Sequence, residues 1–337
     1  MSTLLHSRRL GLGLAAVLFL IGGVAVIPAE TADDLNGRYE AEGNGDQLWL
    51  QLRYLKSHSF SSSLPARSFR RVGEGRTELR REAGAFLFRG LDPSAAGRQA
   101  GEFRFRPDPG YVAAMAERGH RGLDGERLFE LASIDLTLAF VDELAALGYR
   151  ESLERLFDMR IHGVDAPYIR DLASAGYRDL PAKKLLEMRI HGVDVAYVRD
   201  LAAAGYGGLT AERLVQMKIH GVDGGFISAL ADAGYRDLAM RDVMEMRIHG
   251  VQISWVRELA QLGYGDLSAR RLIEMRIHGV GPTWIRELQS LGYGSDVVTV
   301  SELVEMRIHG VDPGWIRGQE PSGISPRRLI ENRLHGG

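Results

Sequence analysis

The chain has 337 residues, 45% hydrophobic and 26% charged, with a formal net charge of −2 and no cysteine. It is long enough for more than one folded unit and carries no global basic field to draw it to nucleic acid. Without cysteine it cannot build disulfides, thiolate zinc sites, iron–sulfur clusters or cysteine nucleophiles.

The N-terminus points to export. Arg8 and Arg9 precede an uncharged, mostly apolar run over residues 10–27, and Glu30, Asp33 and Asp34 follow. Basic before and acidic after fits insertion with the N-terminus in the cytoplasm. The run is long for a signal-peptide core and short for a full span. Residues 1–29 therefore read as a signal peptide cleaved after Ala29 or as an uncleaved membrane anchor, with a buried core helix as the bland alternative. The first two readings place the rest of the chain outside the cytoplasm, membrane-anchored, periplasmic or extracellular. Residues 30–36 read as a linker.

Residues 37–106 read as a small antiparallel β domain. Leu48, Leu50, Leu52 and Tyr54 alternate with Trp49, Gln51 and Arg53, the two-residue period of a strand with one buried face. Phe86 and Phe88 alternate with Ala85, Leu87 and Arg89, and Phe103 and Phe105 with Glu102, Arg104 and Arg106. Breakers at Gly43-Asn44-Gly45, Leu64-Pro65, Gly73-Glu74-Gly75 and from Asp92-Pro93 separate the runs. Five or six strands are expected. Ser57-His58-Ser59-Phe60-Ser61-Ser62-Ser63 reads as a strand-edge loop because of Phe60.

Beyond Pro107-Asp108-Pro109 the pattern turns helical and repetitive. Met188-Arg189-Ile190-His191-Gly192-Val193 recurs unchanged at 159–164, 246–251, 275–280 and 306–311, and with Lys218 for arginine at 217–222. A decayed copy from Asn332 closes the sequence. The histidines at 162, 191, 220, 249 and 278 are 29 apart, 309 is 31 further on and 335 another 26. Aromatic markers at Tyr111, Phe140, Tyr168, Tyr197, Phe226, Trp255, Trp284 and Trp315 keep nearly the same step and begin earlier. The unit around Phe140 has Ser133-Ile134-Asp135 where later units have the His-Gly stretch. A fixed period of this size predicts stacked repeats with atypical end copies. The fold class expected is α+β multidomain: an N-terminal signal or anchor helix, the β domain, and over residues 107–337 an α-solenoid of helix-turn-helix repeats.

One repeat, from Thr210 to Tyr235, can be read physically. Thr210 is a good N-cap, as are Ser268 and Ser301. The first helix carries Leu214, Val215, Met217 and Ile219, and Gly221 ends it with Val222 as the apolar follower. Asp223, matched by Asp165, Asp194 and Asp312, caps the second helix, which carries Phe226, Ile227 and Leu230 and ends at Gly234-Tyr235. Leu214, Val215, Met217, Ile219 and Val222 spread over an arc of about 200° at roughly 100° per residue, which suits a helix packed between neighbours. Lys218 falls inside this arc, with Arg160, Arg189, Arg247, Arg276 and Arg307 at the same place. A buried unpaired charge is costly. Either each stem lies along the inter-repeat seam with its head on an acid or helix-end carbonyl of the adjacent repeat, or the helix unwinds there and the head stands in water.

The pairs His162-Gly163, His191-Gly192, His220-Gly221, His249-Gly250, His278-Gly279 and His309-Gly310 define the repeat. They invite a metal reading. Repeats stack about 10 Å apart, whereas zinc needs its nitrogens about 2.0 Å away around one ion. The structural reading, a histidine at each helix C-terminus bonding the last carbonyls, is preferred. Arg170, Asp171, Arg199, Asp200, Arg257, Glu258, Arg286 and Glu287 lie opposite the apolar arc of the second helix. They read as a solvated face or as a mixed-charge stripe for a protein partner.

Ile277-His278-Gly279-Val280-Gly281-Pro282 resembles the hairpin of helix-hairpin-helix DNA modules, but other units place aspartate where phosphate would approach. Nucleic-acid binding is thus a less favoured reading. No HExxH, Walker A, GxSxG or dinucleotide motif occurs. With its leader Gly101-Glu102-Phe103-Arg104-Phe105 and Pro107-Asp108-Pro109-Gly110-Tyr111, the repeat resembles a bacterial module in the extracytoplasmic tails of β-lactam-sensor-type membrane metallopeptidases and in stand-alone exported proteins. The resemblance covers about residue 37 to the end. It implies architecture but no activity, and the peptidase part is absent. The expectation is a non-enzymatic protein-interaction scaffold without cofactor or metal, its membrane contact limited to an uncleaved N-terminal segment. The alternative is a ligand- or glycan-sensing protein whose β domain binds and whose array is a spacer.

Overall fold

The structure, a computed structural model, describes residues 34–54, 58–73, 75–319 and 323–335. The expected signal or anchor segment lies outside the described residues, as do Ser57, Gly336 and Gly337. No described helix is long and apolar enough to cross a membrane. The chain forms two compact units. The first runs to Arg170 and takes in Leu180–Leu186; the second holds Asp171–Asp179 and Glu187–Gly337.

Seven strands make one sheet: β1 (Leu35–Gly43), β2 (Gln47–Tyr54), β3 (His58–Pro65), β4 (Phe69–Gly73), β5 (Arg76–Arg81), β6 (Gly84–Arg89) and β7 (Gly97–Pro107). Their order is β3-β2-β1-β7-β6-β5-β4 and every neighbouring pair is antiparallel. Five or six were expected. The serine-rich stretch read as a loop is edge strand β3, where Phe60 sits opposite Leu52 with its side chain buried. β1 begins inside the presumed linker. Only the three residues Ala66–Ser68 join the two edge strands β3 and β4, a span of about 10 Å, so the sheet curls into a half-barrel.

The alternation in β2 holds: Leu48, Leu50, Leu52 and Tyr54 are buried on one face while Trp49 is exposed on the other. The inner face is aromatic. Phe86 lies 4.8 Å from Phe105 and 6.2 Å from Phe103 between ring centroids, and Tyr39 donates its hydroxyl proton to the Arg89 carbonyl at 3.0 Å.

Sixteen described helices follow. The first unit holds α1 (Pro109–Glu117), α2 (Gly125–Ser133), α3 (Leu138–Ala146) and α4 (Leu153–His162). Next come α5 (Ala166–Ser174) and α6 (Ala182–Ile190), which straddle the division. The second unit continues with α7 (Val195–Ala203), α8 (Ala211–Ile219), α9 (Gly224–Asp232), α10 (Met240–Ile248), α11 (Ile253–Gln261) and α12 (Ala269–Ile277). It closes with α13 (Pro282–Ser290), α14 (Val300–Ile308), α15 (Pro313–Ile316) and α16 (Pro326–His335).

Helix α2 lies on the open face of the sheet. Its Phe129 ring sits 4.8 Å from Tyr54, 5.5 Å from Phe86 and 5.6 Å from Phe105. The compact unit containing the sheet therefore runs well past residue 106.

Helices this short do not hold in water alone. In the second unit like packs on like: α10 on α12, α12 on α14, α14 on α16, and in the other file α7 on α9, α11 on α13 and α13 on α15. This is the helical repeat arrangement that the 29-residue period predicts.

Candidate interaction surface on the helical repeats

The His-Gly turns close each first helix in one way. In α8, Gly221 adopts φ +70°, its N–H bonds the Lys218 carbonyl at 3.0 Å, and the Val222 N–H reaches back to the Met217 carbonyl at 2.8 Å. Met217 and Val222 pack together, both fully buried. This paired closure with a left-handed glycine is the Schellman motif, and it recurs at Gly163, Gly192, Gly250, Gly279 and Gly310. In the early unit the same hydrogen bonds run from Asp135 and Leu136, with aspartate at φ +56° in glycine's place.

Each histidine of these turns stands at the helix C-terminus, as expected. However, the last carbonyls are taken by backbone N–H groups of the histidine, glycine and valine rather than by the imidazole, as with the His249 N–H to the Glu245 carbonyl at 2.9 Å. The imidazoles of His191, His220, His249 and His278 are exposed, and those of His162 and His309 partly so. Among the described residues no cluster of side chains could hold a metal ion.

The repeated basic residue lies in the seam. Lys218 Nζ stands 4.2 Å from the centroid of the Tyr197 ring of the preceding repeat. The guanidinium of Arg247 stands 4.8 Å from Phe226, Arg276 5.6 Å from Trp255, Arg307 5.4 Å from Trp284 and Arg333 5.4 Å from Trp315. In the first unit Arg160 covers Phe140 at 5.6 Å. Two heads also reach the preceding repeat's helix end, Arg160 Nε on the Ile134 carbonyl at 3.1 Å and Arg307 Nε on the Gly279 carbonyl at 3.2 Å. Of the two readings of the basic residue, the seam holds. The cation–π partner was not expected from the sequence, although the aromatic markers carried the signal.

Such a contact is worth about 0.5–2 kcal/mol, depending on desolvation. Arg247→Met keeps the stem and removes the cation, so a fall in stability of about 1 kcal/mol is expected by denaturant titration. An unchanged midpoint would count against the seam role.

Tyrosine after the second helix ties one repeat to the next. Tyr177 donates its hydroxyl proton to the Leu209 carbonyl at 2.6 Å, Tyr206 to Leu238 at 2.7 Å, Tyr264 to Val298 at 3.0 Å and Tyr293 to Ile324 at 2.8 Å. In the first unit Tyr149 does the same to Leu180 at 2.8 Å. Burial pushes the phenols of Tyr177, Tyr206, Tyr264 and Tyr293 above their ordinary range, Tyr264 to about 12.

The repeat around α10 and α11 lacks several of these devices. Ala239 and Gln252 make no side-chain cap, and the buried Tyr235 hydroxyl and Trp255 Nε1 have no hydrogen-bond partner. In the following units Asp312 accepts from Trp284 Nε1 at 3.2 Å and from Arg307 at 2.7 Å. Gly281 stands where that aspartate would serve Trp255, and a Cβ there would meet only Trp255 Nε1 at 3.9 Å. Gly281→Asp should raise stability by about 0.5–1.5 kcal/mol, the net worth of a hydrogen bond. A further gain of about 1 kcal/mol is expected from Ala239→Ser at the bare N-cap. Both are read as rises in melting temperature.

The charged pairs stand outside the packing. Arg170, Asp171, Arg199, Asp200, Arg257, Arg286 and Glu287 are exposed and Glu258 is half-buried. Arg286 reaches back to Glu258 at 2.6 Å, and Arg199 to Ser174 at 3.4 Å. Exposed pairs of this kind contribute about 0–1 kcal/mol, so the fold gains little from them.

One expectation is corrected. Ile219 was placed in the buried arc, but Ile190, Ile219, Ile248, Ile277, Ile308 and Leu334 are between 51% and 55% exposed. At about 100° per residue, Ile219 lies some 40° beyond Val215, past the edge of the face that Leu214, Val215 and Met217 bury.

No family model matches the chain, and no curated protein or solved structure matches it. Functional argument therefore rests on the geometry of the repeats.

Proposed function

We propose that the protein is a non-enzymatic interaction scaffold on the extracytoplasmic side, its repeats an α-solenoid of about 29-residue helix-turn-helix units that binds protein partners along its surface. The observation that supports this is the recurrence of the exposed Arg-Asp and Arg-Glu pairs on α5, α7, α11 and α13, where packing requires neither residue. Their replacement by Ser228-Ala229 on α9 leaves the helix in its file. The test is retention of proteins from an extract of the native host on the immobilised full chain, against a variant carrying Arg199→Glu, Arg257→Glu and Arg286→Glu. A specific partner should bind the variant at least about tenfold more weakly, a loss of about 1.4 kcal/mol, with an unchanged helical spectrum. Equal retention on both would remove the charged face from the function.

A second reading has one observation in its favour. The outer face of the sheet carries a groove of about 880 Å³ in which exposed Trp49 is flanked by Glu42, Gln47, Ser63 and Arg98. An aromatic plate among hydrogen-bonding groups suits a sugar or a small polar ligand. Trp49→Ala would abolish glycan binding under this reading and leave partner retention on the repeats untouched.

A further inference from the structure

Nine large apolar side chains are exposed among the described residues, and six belong to one series: Ile190, Ile219, Ile248, Ile277, Ile308 and Leu334. They end equivalent helices, α6 to α16 in steps of two. Successive ends are neighbours, because the basic residue beside each apolar one reaches the preceding turn. Lys218 lies at Gly192, Arg247 at Gly221, Arg276 at Gly250, Arg307 at Gly279 and Arg333 at Gly310. The six side chains are thus rungs of one edge of the second unit, at roughly the 8–10 Å spacing of packed helices.

Packing within the chain does not account for isoleucine there. Other exposed positions of the same helices drift, as Glu212, Arg241, Arg270 and Ser301 do at one equivalent place; Ser301, expected as an N-cap, is the second residue of α14, which Thr299 caps. The half-exposed isoleucine is kept in five of the six rungs, and leucine fills the last.

The chemistry beside the edge narrows what covers it. From Ile219 onward the basic residue next to each rung is drawn into the seam over an aromatic ring. On the preceding turn Glu245 and Glu274 are matched by Arg241 and Arg271 of their own helices, at 3.6 and 2.7 Å. Around Ile248 and Ile277 the edge therefore presents apolar rungs flanked by matched charges, which gives phosphate or an anionic surface little to hold. Two such edges can meet without repulsion. Only a second array of the same repeat is certain to match the rungs step for step.

We propose that this edge is where a second copy of the chain packs, isoleucine rungs against isoleucine rungs. The chain has no cysteine, so position-specific cross-linking tests it cleanly. Full-length chains carrying His249→Cys, His278→Cys or both are oxidised and run without reductant, alongside a control with Arg257→Cys and Arg286→Cys on the other helix file. A covalent dimer from the histidine positions and none from the control is expected. A parallel register links either single variant to itself, and an antiparallel one requires both. Light scattering at about 100 µM, where a dimer with a Kd near 1 µM is mostly formed, should give twice the single-chain mass. Ile248→Gln with Ile277→Gln should return it to the single-chain value with the melting temperature kept.

A chain that stays single at that concentration and gives no covalent dimer overturns the proposal. So does a glutamine variant that folds and still dimerises. If the edge instead takes another protein or a lipid surface, the same substitutions would weaken that binding in a chain that never dimerises, and the proposal fails as well. A single chain that still holds a partner through the Arg199 face would sink this inference and leave the scaffold reading standing.

Discussion

Phe129→Ala should cost about 3–5 kcal/mol, the range for emptying an aromatic core position. Phe129 is 4% exposed and is wedged against Tyr54, Phe86, Phe103 and Phe105, with centroid distances of 4.8, 5.5, 5.9 and 5.6 Å. It is the side chain by which α2 closes the half-barrel. Those four partners stand on β2, β6 and β7, each held in the sheet by pairing on both edges, so they cannot collapse far into the space left. The cavity term therefore adds fully to the transfer term. The helix itself is only nine residues long and has little stability to contribute alone. The measurement is the denaturant midpoint of the full chain by circular dichroism, with the aromatic signal of the sheet followed in parallel. A loss below about 1 kcal/mol, the usual size for an ordinary substitution, would show that α2 does not cover the sheet as described.

The parts of this fold that repeat were legible in the sequence, because a repeat shows which residues covary with position. Gly221 with Val222, and Gly234 with Tyr235, mark two helix ends in the sequence, and both are Schellman closures. The alternation around Trp49 gave β2 its buried face correctly. Other features were hidden for physical reasons. Strand β3 carries only Phe60 and Leu64 as large apolar side chains among its serines, so its composition resembles a loop and its pairing with β2 decides the matter. The exposure of Ile219 turned on about 40° of helix rotation, finer than an apolar pattern resolves. The partner of each basic residue lies in the preceding repeat, about 20 residues upstream, and periodicity alone does not reveal which ring meets which cation. Asp135 escaped as a helix-closing residue because aspartate seldom takes a left-handed conformation. Seven of the eight residues of the charged pairs are exposed, and exposure does not distinguish a partner surface from a bare one.

Alkaline titration should dismantle the repeats cooperatively between about pH 10 and 12. Burial raises the phenols of Tyr177, Tyr206, Tyr235 and Tyr293, and burial followed by the charge of Asp296 and then Glu302 raises Tyr264 to about 12. A raised folded-state value means the folded chain holds the proton more tightly than the unfolded chain does. The stability this represents is complete below the unfolded value near 10 and is lost as pH climbs through the folded one. The loss has a local cause, since an ionised phenolate can no longer donate to the Leu209, Leu238, Val298 or Ile324 carbonyl. Each bond joins adjacent repeats, and a stack held by nearest neighbours fails together once several joints open. Tyrosinate absorbance and helical circular dichroism should therefore change over one pH interval, rather than absorbance rising first on an intact fold. Tyr264→Phe separates the two parts of the claim. At neutral pH it should cost about 1 kcal/mol for the lost hydrogen bond, while the alkaline midpoint moves upward relative to its neutral stability because phenylalanine has no proton to lose. A midpoint that falls in proportion to neutral stability would mean that the alkaline transition is driven by groups outside the tyrosine joints.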